Sequence, residues 1–225
     1  MQRLGQHFLK NQAVVIKIID AVAPKAGDII IEIGPGHGEL TESLAKMVNK
    51  NTRLILIEKD ISLSKKLREQ FDGKNNIEIH EGDALKILPS IVDSLPPQKY
   101  YLVGNIPYYI TGKLLRVVSE LERKPERTIL MVQEEVADRI CATPPTMNRL
   151  AASVQFWAKT EIITKVPKAD FLPPPKIDSA VVLMTTKTIA PSLQPARYYK
   201  AVRAIFSQPR KKATATKDRL IFPWK

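Results

Sequence analysis

An α/β fold, with a parallel sheet covered by helices on both faces, is predicted by three observations. Short, nearly continuous apolar runs recur along the chain, segments of helical period separate them, and this alternation persists to about residue 160. The elements follow in order. "AVVIKIIDAVA" (13–23) spaces its apolar residues as a helix does and is closed by Pro24. "DIIIEIG" (28–34) is a β-branched strand ending in glycine, followed by the helical "ELTESLAKMV" and the strand "RLILIE" (53–58). "DISLSKKLREQF" is amphipathic, "NIEIHEGD" strand-like and "ALKILPSIV" a short helix. The strand "KYYLVG" (99–104) leads to the helix "TGKLLRVVSEL", and the strand "TILMVQ" (128–133) runs into the helical "EEVADRIC". Beyond residue 160 the pattern changes. "TEIITKVP", the proline-rich "FLPPPKIDSA" and "AVVLMTT" (180–186) predict a final antiparallel hairpin with little helix. "TIAPSLQP" marks a boundary before the basic helical segment "ARYYKAVRAIFSQPRKK", so residues 1–190 form the main domain and 191–225 a short basic helical segment.

Composition bounds the function. With 225 residues the chain can bury one sizeable core plus a small appendage. No apolar run approaches the roughly 20 residues of a membrane span, and "MQRLGQHFLK" lacks a signal peptide's apolar stretch. A single cysteine, Cys141, excludes an internal disulfide and fits a reducing, cytoplasmic setting. The three histidines lack metal-ligand spacing, so no metal is expected. Net charge is +12, and residues 191–225 hold 9 Lys+Arg against 1 Asp. So lopsided an excess points to a polyanion, most commonly nucleic acid, although a solvated basic tail carries the same pattern.

Chemistry gathers at the strand ends, where ligands bind in a doubly wound sheet. "EIGPGHGEL" (32–40) lets the backbone approach a ligand at Gly34, Gly36 and Gly38, but Glu39 stands where a dinucleotide loop has its third glycine. That departure argues against a dehydrogenase. Glu58, ending the next strand, can accept both hydroxyls of a ribose, and Asp83 in "EGDAL" can accept an adenine amino group. Each carboxylate alone fits a solvated strand end. Three such features at successive strand ends point to S-adenosylmethionine.

"NIPYYITG" (105–112) leaves the fourth strand at the same edge. An exocyclic adenine amine is a poor nucleophile because its lone pair is delocalised into the ring. Acceptors on its protons help localise that pair, and the side-chain carbonyl of Asn105 and the backbone carbonyl of Ile106 suit that task. Pro107 fixes the turn, and Tyr108 offers a face on which a flipped-out base can stack. Phe171, beside three stiff prolines, is expected to supply the second face of the base sandwich; its plainer reading is a hydrophobic anchor between strands.

These stretches, with "LGQHFL", "IEKD", "FLPPPKIDSAVV" and "FSQPRKK", occur in an order that resembles the ribosomal-RNA adenine-N6,N6-dimethyltransferases, above all the bacterial small-subunit (16S) type. The resemblance implies a Rossmann-like methyltransferase domain and S-adenosylmethionine contacts at His7, Leu9, Gly34, Gly36, Glu58, Asp83, Ala84 and Asn105. It implies catalysis by Asn105 to Tyr108, base stacking by Phe171, and RNA contacts at Arg203, Arg210, Lys211 and Lys212. It also implies two successive methyl transfers to each of two adjacent adenines near the 3′ end of 16S rRNA, by a monomer acting on the small subunit. Tyr109 and Gly112 depart from the family's usual residues. Relatives continue for some tens of residues as a small helical domain, so 191–225 resembles a truncated remnant of it. Two other readings share many of these features: a large-subunit (23S) adenine methyltransferase of the macrolide-resistance type, and a non-catalytic rRNA-binding assembly factor.

Overall fold

The computed structural model describes residues 7–48, 51–188 and 194–207. The chain opens with the two-residue strand β1 (Phe8–Leu9) and α1 (Gln12–Val22), capped by Asn11, whose side chain accepts the Ala13 N–H at 3.0 Å. There follow β2 (Ile29–Ile33), α2 (Glu39–Met47), β3 (Arg53–Glu58), α3 (Ile61–Gln70), β4 (Ile77–Glu81) and α4 (Ala84–Ser94). Next come β5 (Tyr100–Asn105), α5 (Thr111–Glu120), β6 (Arg127–Gln133), α6 (Glu134–Cys141) and α7 (Arg149–Gln155). The chain finishes with β7 (Ala158–Val166), β8 (Phe171–Leu172), β9 (Ser179–Thr186) and α8 (Pro195–Phe206).

Among the described residues seven strands form one sheet in the order β4-β3-β2-β5-β6-β9-β7, in which β9 alone runs opposite to the other six. The strands are apolar on both sides because helices cover both sides. Alternation along β2 sends Ile29, Ile31 and Ile33 into one core with side chains from α4, α5, α6, α7 and α8. Ile30 points into the other, shared with α1, α2 and α3. The order reverses between β2 and β5, so their carboxyl ends diverge and leave a crevice. At that junction Gly104 is required for space: a Cβ there would lie 2.6 Å from the Ile33 carbonyl oxygen.

Two elements escaped the sequence reading. Helix α7 is short, but Asn148 caps it by accepting the N–H groups of Leu150 and Ala151. The second is a ribbon of β1 and β8, pairing Phe8 with Leu172 and Leu9 with Phe171. The expected boundary at 190 lies outside the described residues. Helix α8 beyond it shares the sheet's core, with Tyr198 and Val202 buried and Tyr198 stacked on Phe156 at 4.2 Å.

Candidate active site

The crevice is built from the strand ends inward. After β2 the chain turns through three glycines in the left-handed region, Gly34 (φ +66°), Gly36 (φ +63°) and Gly38 (φ +92°). The Gly36 N–H donates to Glu58 Oε2 at 3.1 Å, while Glu58 Oε1 accepts the Asp60 N–H at 2.8 Å. Glu58 is thus a buried carboxylate fixed by two backbone donors at the ends of β2 and β3. It lines the cleft below the glycine loop.

Behind the loop, Glu32 accepts the Thr41 hydroxyl at 2.7 Å, and burial pushes its carboxyl up to about 8. Burial also raises Glu39. Glu32, Glu39 and Glu58 line the same cleft. Asp83 lies one strand further out. Its Oδ1 caps α4 through the Leu85 N–H, and its Oδ2 accepts from Lys59 at 3.0 Å. The Lys59 contact holds its carboxyl below the usual range. Any ligand group that reached Asp83 Oδ2 would have to share or displace the exposed Lys59 ammonium. Ala84 is buried in the core beneath it.

On the opposite wall, β5 ends at Asn105. Its Nδ2 donates to the His7 carbonyl at 2.8 Å, a bond that only the amide nitrogen can make, so the orientation of the side chain is decided. Asn105 Oδ1 has no hydrogen-bond donor among the described residues and is left to accept from a ligand. Ile106 is buried, and Pro107 (φ −56°, ψ 131°) starts a 3-10 turn over Tyr108–Ile110. That turn swings the Tyr108 ring over the cleft, where its hydroxyl is hydrogen-bonded to Ser179 Oγ at 2.7 Å and burial raises its pKa. His7 donates through Nδ1 to the Pro173 carbonyl at 2.8 Å and stacks nearly parallel to Tyr108, with centroids 6.1 Å apart.

His7, Leu9, Gly34, Gly36, Glu58 and Asn105 to Tyr108 thus line one cleft of about 80 Å³. A second, open cavity of about 350 Å³ adjoins it at His7 and Tyr108 and is completed by Tyr109 and Gln133. The inner cleft is narrower than the roughly 300 Å³ minimum of small-molecule sites. Phe8 narrows it, with a ring carbon 2.9 Å from where a Gly36 Cβ would stand and the ring 4.3 Å from that of His37. The residues fit S-adenosylmethionine: a glycine cradle and, at the end of the next strand, a buried carboxylate lining the same cleft.

Phe171 is buried, 1% exposed, in the core cluster that holds Leu9, Met131 and Val181; it pairs with Leu9 in the ribbon and is not among the residues lining either cavity. Arg203 is exposed on α8, and Arg210, Lys211 and Lys212 lie outside the described residues. Sequence reasoning missed Glu32, Phe8 and Gln133 as lining residues. An acid in the otherwise apolar "IIIEI" was the available signal for the first.

Strand order, crevice and glycine cradle define an S-adenosylmethionine-dependent methyltransferase fold. The particular family follows from comparison. The chain belongs to the ribosomal RNA adenine dimethylase family, whose model it matches over residues 1–220. It is 40% identical over 212 residues to "Ribosomal RNA small subunit methyltransferase A" of Dehalococcoides mccartyi (strain CBDB1), covering 92% of this chain and 71% of that one. Among solved structures it resembles a dimethyladenosine transferase from Plasmodium falciparum (TM-score 0.78, 30% identity, 93% of this chain and 74% of that one). It also resembles the 23S rRNA methyltransferase ErmE (TM-score 0.75, 27% identity, 89% and 79%).

Proposed function

We propose that this protein transfers methyl groups from S-adenosylmethionine to N6 of two adjacent adenines in a hairpin near the 3′ end of 16S rRNA, dimethylating each as part of ribosome biogenesis. The observation that carries the proposal is the orientation of Asn105: its Nδ2 donates to the His7 carbonyl, which leaves Oδ1 as an open acceptor on a side chain that lines the inner cleft. Bound over the glycine cradle, S-adenosylmethionine supplies a methyl group on a positively charged sulfur. The protein supplies position. Asn105 Oδ1 and the Ile106 carbonyl accept from the amine, which localises its lone pair, and Tyr108, braced by Ser179, holds the base flat. No strongly basic side chain is needed, since the amine sheds its proton to water as the bond to carbon forms.

The curated relatives favour the small subunit, and likeness to ErmE favours a second reading, methylation of 23S rRNA. Unmethylated small and large subunits, incubated separately with protein and S-adenosylmethionine and mapped by mass, decide between them. Dimethyladenine confined to the small subunit supports the proposal; modification of the large subunit alone overturns it. Asn105→Ala is expected to lower transfer by about 10²-fold or more while leaving subunit binding nearly intact. If native protein binds subunits and modifies neither, it is a binding factor that works in the cytoplasm without catalysis.

A further inference from the structure

We infer that Gln133 reads the target base, its side-chain amide donating to the ring nitrogen that flanks the reacting amine. This rests on the adenine-methylation reading. Gln133 is the last residue of β6 and lines the open cavity with His7, Tyr108 and Tyr109. Its neighbours fix where it points. Asn105 pairs with Met131 across β5 and β6, and Met131 lines the inner cleft, so its side chain is on the cleft face of the sheet. Alternation places Gln133 on that same face, two residues or about 6.6 Å further toward the open edge. Across the antiparallel pair Gln133 faces Ser179, whose hydroxyl holds Tyr108. The stacking ring, the amine acceptor and the Gln133 amide therefore converge on one cavity, with the amide offset from Asn105 along the strand.

Gln133 makes no side-chain hydrogen bond among the described residues, although it is half-buried at the start of α6, where a capping bond is commonly made. A purine ring nitrogen needs a donor. Two side chains lining the open cavity carry donors with no hydrogen bond among the described residues, Gln133 and Tyr109; Tyr109 is 61% exposed, whereas Gln133 is half-buried on the strand beside Asn105. A guanine in the same slot presents a carbonyl oxygen where adenine has its reacting amine, and turns a ring N–H toward a donor if its Watson–Crick edge is presented.

The test is single-turnover methylation of unmethylated small subunits at saturating S-adenosylmethionine by native protein, Gln133→Ala and Gln133→Glu. Both variants are expected to slow transfer about 10- to 100-fold, the glutamate no less than the alanine, because a carboxylate has the shape but cannot donate. S-adenosylmethionine affinity and the melting temperature should stay as in native protein, and monomethyl and dimethyl products should slow together. A native rate in either variant overturns the inference, as does a fall in cofactor affinity or folding that accounts for the loss. Accumulation of monomethyladenine also overturns it, by placing Gln133 on the amine instead. If native protein is itself inactive on both subunits, the methylation reading fails first. If it acts only on the large subunit, the same variants are compared there.

Discussion

At the residue scale, Asn105 and Glu32 show how a side chain's environment selects its chemistry. Asn105 sits at a strand end where its amide nitrogen donates to a backbone carbonyl, and its oxygen has no hydrogen-bond donor among the described residues. Glu32 lies below the glycine loop with one hydroxyl for company, so its folded pKa stands far above the unfolded value of 4.5. The folded state then binds more protons than the unfolded one between about 4.5 and about 8. Stability is fully present at the acid end of that window and is lost as pH rises through it, with a slope approaching about 1.4 kcal/mol per pH unit. Glu32→Gln, isosteric with the protonated acid, should flatten the dependence, and urea unfolding of both proteins at pH 6, 7 and 8 measures it. The carboxylate at Glu58 was legible from sequence because a strand end and a glycine loop place it. Burial of Glu32 was not, since the effect comes from layers that local pattern does not record.

At the scale of elements, the crevice depends on how closely β2 and β5 approach. Gly104→Ala should wedge the two strands through the Ile33 carbonyl and cost about 1–3 kcal/mol, read by denaturant unfolding, with weaker S-adenosylmethionine binding. Most elements were recoverable from periodicity because long apolar strands and amphipathic helices announce themselves. The β1–β8 ribbon was not, because two-residue strands have no period and their pairing spans more than 160 residues. The burial of Phe171 was hidden for that reason: "FLPPP" gives the stiffness of the loop, but the strand that Phe171 pairs with lies at the other end of the chain. Gln133 was hidden differently. As the last letter of "TILMVQ" it reads as a strand-to-helix junction, and only the neighbouring strand ends reveal the cavity it lines.

At the scale of the whole molecule, the +12 charge predicts subunit binding that weakens steeply with salt. Replacing Arg210, Lys211 and Lys212 by alanine should reduce the slope of log affinity against log salt by about 2–3 if each meets a phosphate, measured by sedimentation with small subunits from low to physiological salt. Helix α8 has a second task, since Tyr198 and Val202 help to close the core on one face of the sheet. The ribbon at the opposite end of the chain has a consequence in time. His7 reaches Pro173, Lys10 reaches Asp170, and it is the His7 carbonyl that orients Asn105. During synthesis the sheet's first strands emerge and can pair long before residue 173 exists. The contacts that anchor His7, and through its carbonyl orient Asn105, therefore form only after residues 170–173 have been made.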